Sequence, residues 1–425
     1  MNFQKLLMAL VCANGLLVPG DLLAAEKILS LSEAVQLTLD NNPQFRTYQL
    51  RNEALKGQSQ IANQKPALQL STEIENVIGT GDLNWFQGTE LTLALSQVIE
   101  IGDKRAARVN TVSQRQNVLL AEQRVLELDL LSEVATRYIE LASIERRQFL
   151  LARSSELARN VLNSVSVRVD AGRAPEAERA RAIAAVSMAE LAEQSLSFSA
   201  LGAAIQLSSL WGVLQPTFAG IDANIMQLKE LEPIEVLLHK LDKNPVITVF
   251  ASESRLREAE LREARSRRRA NVEVGAGIRH LAGLNDTALL FQVTVPLFSK
   301  NRNRGNVTSA QANLLRVGSE KETALLKMHT QLLLLDHQRR LALNEFHTLQ
   351  DTVIPQLNVA LDVTRTAFES GRYSYLELTV AQKEMLEAEF SLIEVAARAH
   401  LLRVEIERLS GEEFNNFYRE IPNPL

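Results

Sequence analysis

Residues 272–295 read VEVGAGIRHLAGLNDTALLFQVTV, and this stretch decides the fold. In its first part Val272, Val274, Ala276 and Ile278 alternate with Glu273, Gly275, Gly277 and Arg279. In its last part Leu289, Phe291, Val293 and Val295 alternate with Ala288, Gln292 and Thr294. A period of two marks a strand with one apolar and one wet face. Ala282 to Asp286 (AGLND) supplies a turn between the two, so the stretch is a hairpin. A second hairpin lies upstream. There Leu68, Leu70, Ile74 and Ile78 share a face opposite Gln69, Ser71, Glu73 and Glu75, and Leu91, Leu93 and Leu95 alternate with Glu90, Thr92 and Ser96. Gly79 to Gly88 (GTGDLNWFQG) joins these strands, with Trp85 and Phe86 placed either to anchor at a membrane interface or to pack on their own loop. Each strand is about ten residues long, as a tilted membrane-spanning strand requires.

Long helical stretches flank both hairpins. From Gly102 to about Val169 there is no proline and no internal glycine, and residues 306–355 carry only Gly318 before Pro355. At ~1.5 Å per residue the first stretch would run roughly 100 Å. Helices that long pack on one another as coiled coils or bundles rather than wrapping a compact core. The chain is also duplicated, with an offset of roughly 200 residues. Leu39-Asp40-Asn41-Asn42-Pro43 opens one half and Leu241-Asp242-Lys243-Asn244-Pro245 the other. Ala171-Gly172-Arg173 recurs as Ser370-Gly371-Arg372, and Leu210-Trp211-Gly212 as Leu409-Ser410-Gly411. We place a first repeat at 26–212, a linker at 213–232 containing Pro216 and Gly220, a second repeat at 233–411 and a C-terminal tail at 412–425.

The 425 residues carry a net charge of −5, which argues against a nucleic-acid binder, and only 5 % are aromatic, fewer than an ordinary globular core uses. Residues 1–25 read as a secretory signal: Lys5, the apolar stretch Leu6 to Val18, and Leu22-Leu23-Ala24-Ala25 as a small-residue cleavage site. The single cysteine, Cys12, lies inside that signal, so the mature chain would form no disulfide and carry no lipid anchor. No later segment has the ~18 consecutive apolar residues of a membrane-spanning helix.

Four strands do not close a membrane barrel, since the smallest have ~8. Open strand edges in lipid would leave N–H and C=O groups unpaired, so the chain would share its strands with other copies. The apolar face would then meet lipid and the polar face would line water. Other readings are a sheet packed against its own helices, or a soluble periplasmic coiled-coil scaffold.

The repeat with its Leu-Trp-Gly and Leu-Ser-Gly ends, and Phe368-Glu369-Ser370-Gly371-Arg372-Tyr373 running on to Val380-Ala381-Gln382, resemble the outer-membrane efflux proteins of the TolC type. Glu100 to Arg108 (EIGDKRAAR) and Val295 to Asn306 (VPLFSKNRNRGN) are similar to segments of the CzcC-like heavy-metal branch, with departures at Asp103, Ser299, Lys300 and Arg302-Asn303. The resemblance implies an α+β membrane protein. Its duplicated helix-and-hairpin repeats would trimerise into a 12-stranded outer-membrane β-barrel continuous with a periplasmic α-helical barrel. It implies the exit channel of a tripartite RND-type efflux system, working with a periplasmic adaptor and an inner-membrane pump, in contact with outer-membrane lipid, and exporting divalent metal cations. Multidrug efflux or type I secretion through the same duct is the alternative.

Three groups of residues follow from these readings. At the barrel–helix junction, Gly102 and Gly305 would allow the tight turn into each long helix, and Pro296 would end a strand. Lys104, Arg105, Arg108, Lys300, Arg302 and Arg304 would meet anionic headgroups or subunit carboxylates there. At the far helix ends, Gly172 and Gly371 would adopt the left-handed conformation that stops a helix, exposing Arg173, Arg372 and Tyr373. The resemblance implies that these tips face the adaptor. It also implies that Glu377 lines the inner constriction, whereas Val380 stands where the family has a second acidic residue.

No catalytic motif and no cofactor site is visible. Of the six histidines, no pair has the i, i+3 or i, i+4 spacing of a metal site, although His329 and His337 would share a helix face. The arginines of Arg262 to Arg269 (REARSRRR) alternate with Glu258, Glu260 and Glu263 and read as a salt-bridged helix whose basic end would touch phospholipid.

Overall fold

The computed structural model describes residues 28–78, 80–81, 88–230 and 232–411. The expected signal at 1–25 with Cys12, the loop aromatics Trp85 and Phe86, and the tail at 412–425 lie outside the described residues. The first half contains β1 (Ile28–Leu29), α1 (Leu31–Asn41), α2 (Pro43–Asn63), β2 (Leu68–Glu75), β3 (Glu90–Ile99), α3 (Lys104–Asp170) and α4 (Glu176–Ser209). The short strand β4 (Gly220–Ile221) lies between the halves. The second half contains α5 (Ile234–Lys240), α6 (Pro245–Ser266), β5 (Val272–Leu281), β6 (Asp286–Thr294), α7 (Ser299–Arg302), α8 (Arg304–Thr348), α9 (Ile354–Glu369) and α10 (Tyr375–Ser410).

The two hairpins form one antiparallel sheet in the order β2-β3-β5-β6. Residues paired across adjacent strands point to the same face. Leu70, Leu95, Ala276 and Phe291 form one such row, and Leu93, Ile278 and Leu289 another. Phe291 is 82 % exposed and Leu289 73 %, so the apolar face is not packed against the chain's own helices. On the other face the rows are Gln69, Ser96, Gly275 and Gln292, then Glu73, Thr92, Arg279 and Ala288. Ile78 does not continue the apolar face, because β2 ends at Glu75 and Asn76 turns the chain with φ 58°. Strands β2 and β6 are the free edges and run in opposite directions, so the sheet is open in a single chain.

Helix α3 has 67 residues, about 100 Å at ~1.5 Å each. The second long helix does not stop at Pro355. A π-helical turn over Leu349–Val353 precedes the proline, and α9 carries on to Glu369. Proline lacks an N–H and its ring crowds the carbonyl four residues back, and a locally wider turn relieves both problems.

The duplicated Asn-Pro steps are seams. The Asn42 side chain caps α2 by accepting from Gln44 N (2.9 Å) and donates to Leu210 O (2.8 Å). Asn244 caps α6 by accepting from Val246 N (2.8 Å) and donates to Arg408 O (2.9 Å) and Leu409 O (2.8 Å). Each repeat thus ties the start of its second helix to the carbonyls that end its last helix. Around the first seam, Leu31, Val134, Tyr138, Leu141 and Leu207 form the largest buried cluster; Leu237, Leu241, Ile247, Leu332 and Ile406 surround the second. The segment expected as a plain linker is docked on this middle region. β4 pairs in parallel with β1, Glu145 accepts from Ile221 N (3.4 Å), and Ile225 is buried.

Candidate functional site

The wet face of the sheet carries an ion-pair cluster near the hairpin turns. The Arg279 guanidinium on β5 reaches Glu90 (2.8 Å) and the Thr92 hydroxyl (2.9 Å) on β3, and Glu75 (2.9 Å) on β2. One arginine therefore links both hairpins. Glu73, Glu75, Glu90 and Asp286 share this face with Arg279, leaving it net negative. Alternation alone marks these residues as water-facing, but cross-strand register is needed to see that Arg279 joins three strands.

At the junction, Gly102 adopts φ +90°, and a Cβ there would lie 2.5 Å from Cδ of Arg269. Gly102 therefore does turn the chain, and it also lets Arg269 cross over it. Gly305 does not make the second turn: it lies within α8, outside the left-handed region. Phe298 turns the chain instead, with φ 62°, and projects its ring 75 % exposed beside Leu297 at 69 %. The turn falls on this non-glycine position two residues after Pro296, in the connection from β6 to α7. Asn303 then fastens the start of α8 by donating to Ala264 O while accepting from Asn306 (2.7 Å).

Two of the six basic residues expected to meet headgroups are used internally. Lys104 is buried and bonds Asn271; burial pulls its pKa below the usual lysine value. Arg108 forms a two-pronged pair with Glu100, its second contact 3.0 Å long, and this bond holds the carboxyl below its ordinary pKa. Arg105, Lys300, Arg302 and Arg304 remain exposed.

The tips are two matched turns. Gly172 (φ 70°) follows α3 and Gly371 (φ 76°) follows α9. In each, the arginine after the glycine bonds back five residues, Arg173 N to Arg168 O and Arg372 N to Ala367 O, both 2.8 Å. That closure satisfies carbonyls a helix end would otherwise leave open. Arg168 locks one turn to the other: it bonds Phe368 O (3.1 Å), and its guanidinium carbon lies 4.4 Å from the Phe368 ring centre. Beneath lie Val165, Leu361, Tyr375, Leu378 and Met385. Arg173, Arg372 and Tyr373 are exposed, Arg372 also bonding Ser370 Oγ (3.1 Å).

Glu377 has a structural task the sequence reading did not foresee. Its carboxylate turns back to accept from the Ser374 hydroxyl and from Ser374 N (2.6 Å), a capping box that starts α10. The Ser374 hydroxyl bond, then the backbone bond, holds its pKa below the ordinary range. The first repeat has Pro175 at the equivalent place and no such box.

A buried polar group holds the middle segment and had no sequence signal. Arg339 on α8, only 4 % exposed, donates to Lys229 O, and burial draws its pKa down to about 10. His400 on α10 bonds Ile225 O (3.0 Å), and burial, with Arg403 and Arg339 nearby, pushes its pKa down to about 4. Among the described residues no group of three or more His, Cys, Asp or Glu could hold a metal ion. His329 bonds Leu325 O of its own helix (2.8 Å).

No protein-family model matches the chain. It is 25 % identical over 320 residues to the cobalt-zinc-cadmium resistance protein CzcC of Cupriavidus metallidurans, covering 75 % of this chain and 77 % of that one. Among solved structures it resembles CusC, described in terms of folding and transmembrane channel formation, with a TM-score of 0.73 at 16 % identity, covering 90 % of this chain and 92 % of that one. It also resembles the outer membrane protein VceC of Vibrio cholerae, with a TM-score of 0.69 at 17 % identity, covering 90 % and 96 % of the two chains. The fold is that of TolC-type outer-membrane channels. Within that class its sequence resembles the CzcC-like heavy-metal branch.

Proposed function

We propose that the protein is the passive outer-membrane exit duct of a tripartite RND-type efflux system and that its cargo is divalent heavy-metal cations. The observation that carries the duct is the open four-stranded sheet, apolar on one face and polar on the other, with oppositely running edges. Edge β6 of one copy can pair antiparallel with edge β2 of the next, a head-to-tail contact that closes into a ring. Three copies give 12 strands, an even number that membrane barrels use. The long helices extend this wall into the periplasm, toward an adaptor protein and an inner-membrane pump. Similarity to a cobalt-zinc-cadmium resistance protein supports the cargo. The net negative wet face suits cations, and a duct that must release its cargo needs no tight metal site.

In this reading residues 1–25 are a removed signal, the repeats span 26–212 and 233–411, and residues 213–232 brace the middle. Gly172, Arg173, Gly371, Arg372 and Tyr373 present the adaptor-facing tips. Glu377 rings the inner constriction while capping its own helix, and Val380, 47 % exposed, leaves that ring with one acidic layer. The junction is built by Gly102, Lys104, Arg105, Pro296 and Arg302, with Phe298 taking the turn first assigned to Gly305.

The test is growth of a deletion strain on graded zinc, cobalt, cadmium, nickel, copper and silver beside a drug panel. Sensitivity to a metal group, restored by the intact gene, is expected. Sensitivity to drugs alone would remove the cargo and keep the duct.

A further inference from the structure

A cleft of ≈ 580 Å³ lies between the first turns of α3 and the last turns of α6, floored by Gly102, Ala106 and Ala107. Its other wall carries Arg262 and Arg265, which share one face of α6, and Arg269 from the turn that follows the helix. Arg262 leans on Glu258 (3.8 Å), whereas no carboxylate pairs with Arg265 or Arg269 among the described residues. Among the described residues, Asp103 at the rim is the one acidic side chain lining the cleft.

The cleft opens on the same side of the wall as the apolar rows. Glu100 continues the polar face of β3, on the side of Glu90, Thr92 and Ser96. Arg108 pairs with Glu100 and therefore lies on that wet side. At ~100° per residue, Ala106 and Asn110 are turned roughly 160° away from Arg108 around α3. They face the side of Leu91, Leu93, Leu95 and Ile99, which the proposed duct presents to lipid. On that side Ile99 ends the exposed apolar row of β3, and beyond it along the wall come the arginines. That order, hydrocarbon-facing residues followed by cations, matches the order of acyl chain and phosphate in one leaflet.

The geometry points to a binding site for an anionic phospholipid of the periplasmic leaflet, its phosphodiester held by Arg265 and Arg269 in this cleft. Guanidinium forks suit phosphate oxygens better than a lone ammonium does. The three small residues opposite leave room for the headgroup, and Gly102 admits the Arg269 stem. The inference rests on the outer-membrane location and on which sheet face meets lipid. It does not depend on the cargo.

The test uses the full chain purified as its detergent-solubilised assembly and titrated with dioctanoyl phosphatidylglycerol, with binding followed by native mass spectrometry. At about one surface arginine's worth of lipid attraction each, Arg265→Gln with Arg269→Gln is expected to weaken binding roughly thirtyfold. Ala106→Leu, which fills the cleft and keeps every charge, is expected to weaken it as well. Lys321→Gln with Lys327→Gln, exposed on α8 about 25 Å or more along the helix from its start, is expected to change it less than about threefold. Unchanged binding in either cleft variant, or equal loss in both charge pairs, would overturn the site. Competition by inorganic phosphate at equal concentration would assign the cleft to a free anion instead. Metal resistance of the complemented deletion strain is scored separately, so loss of the cargo assignment leaves the lipid result standing.

Discussion

Replacing Asn244 by alanine tests whether the repeat seams hold the helices. The native side chain is 1 % exposed and makes three hydrogen bonds: one to the α6 start and two to the carbonyls of Arg408 and Leu409. Loss of the cap costs about 1 kcal/mol. Stranding two buried carbonyls adds about 1 kcal/mol each, giving roughly 3 in all. Asn42→Ala removes the cap and one carbonyl bond, so roughly 2 is expected. Asn244→Asp keeps the cap acceptor but sets a carboxylate against two carbonyls, and it should cost at least as much as alanine. Amide hydrogen exchange in the detergent-solubilised assembly reads this locally, because helix-end opening has its own free energy. Amides at 246–250 and 404–410 should exchange about a hundredfold faster in Asn244→Ala, with the sheet unchanged. Acceleration below about fivefold, or a larger effect from Asn42→Ala, would refute the seam as a source of stability.

Three further outcomes are expected. His400 has a folded pKa of about 4, below its ordinary 6.5, so the unfolded chain takes up the proton first. The stability from neutral His400, facing Arg339 and Arg403, is full above pH 6.5 and fades as pH falls toward 4. Up to about 3 kcal/mol is at stake, so melting temperatures at pH 7 and pH 4.5 should differ less in His400→Gln than in the native protein. Arg279→Gln should cost about 1 kcal/mol, since its partners are part-exposed, and should make single channels in planar bilayers more cation-selective; a shift toward anions would contradict a water-lining role. Glu377→Gln keeps a capping acceptor and removes the charge, whereas Glu377→Ala removes both. If Glu377 rings the constriction, both should lower cation selectivity, and only alanine should loosen the α10 start in hydrogen exchange.

The strands and long helices were legible because apolar alternation and the absence of breakers are local properties. Both hairpins form where the alternation places them, apart from Ile78, which Asn76 turns out of its strand, and Gly172 and Gly371 take the left-handed conformation. The remaining differences are tertiary. Whether Phe298 or Gly305 takes the left-handed turn depends on where α8 docks against α6, which Asn303 and Ala264 decide. Lys104 reads as a membrane-facing cation until Asn271 is seen beside it, 167 positions away in sequence. Pro355 looks like a helix end because a π turn leaves no compositional trace. The Asn-Pro steps were visible as punctuation, but their bonds to the far ends of their own repeats were not. His400 and Arg339 gave no signal, since what they hold is backbone.

The free edges β2 and β6 also carry a genetic consequence. If three chains close the ring, each sits between two others, and a chain with one spoiled edge leaves a gap that its neighbours are unable to fill. In a cell making equal amounts of sound and edge-defective chains, random assembly would leave roughly one ring in eight free of the defect. An allele disrupting either edge should therefore behave as dominant, silencing most of the normal product, whereas one that prevents the chain from folding at all should be recessive.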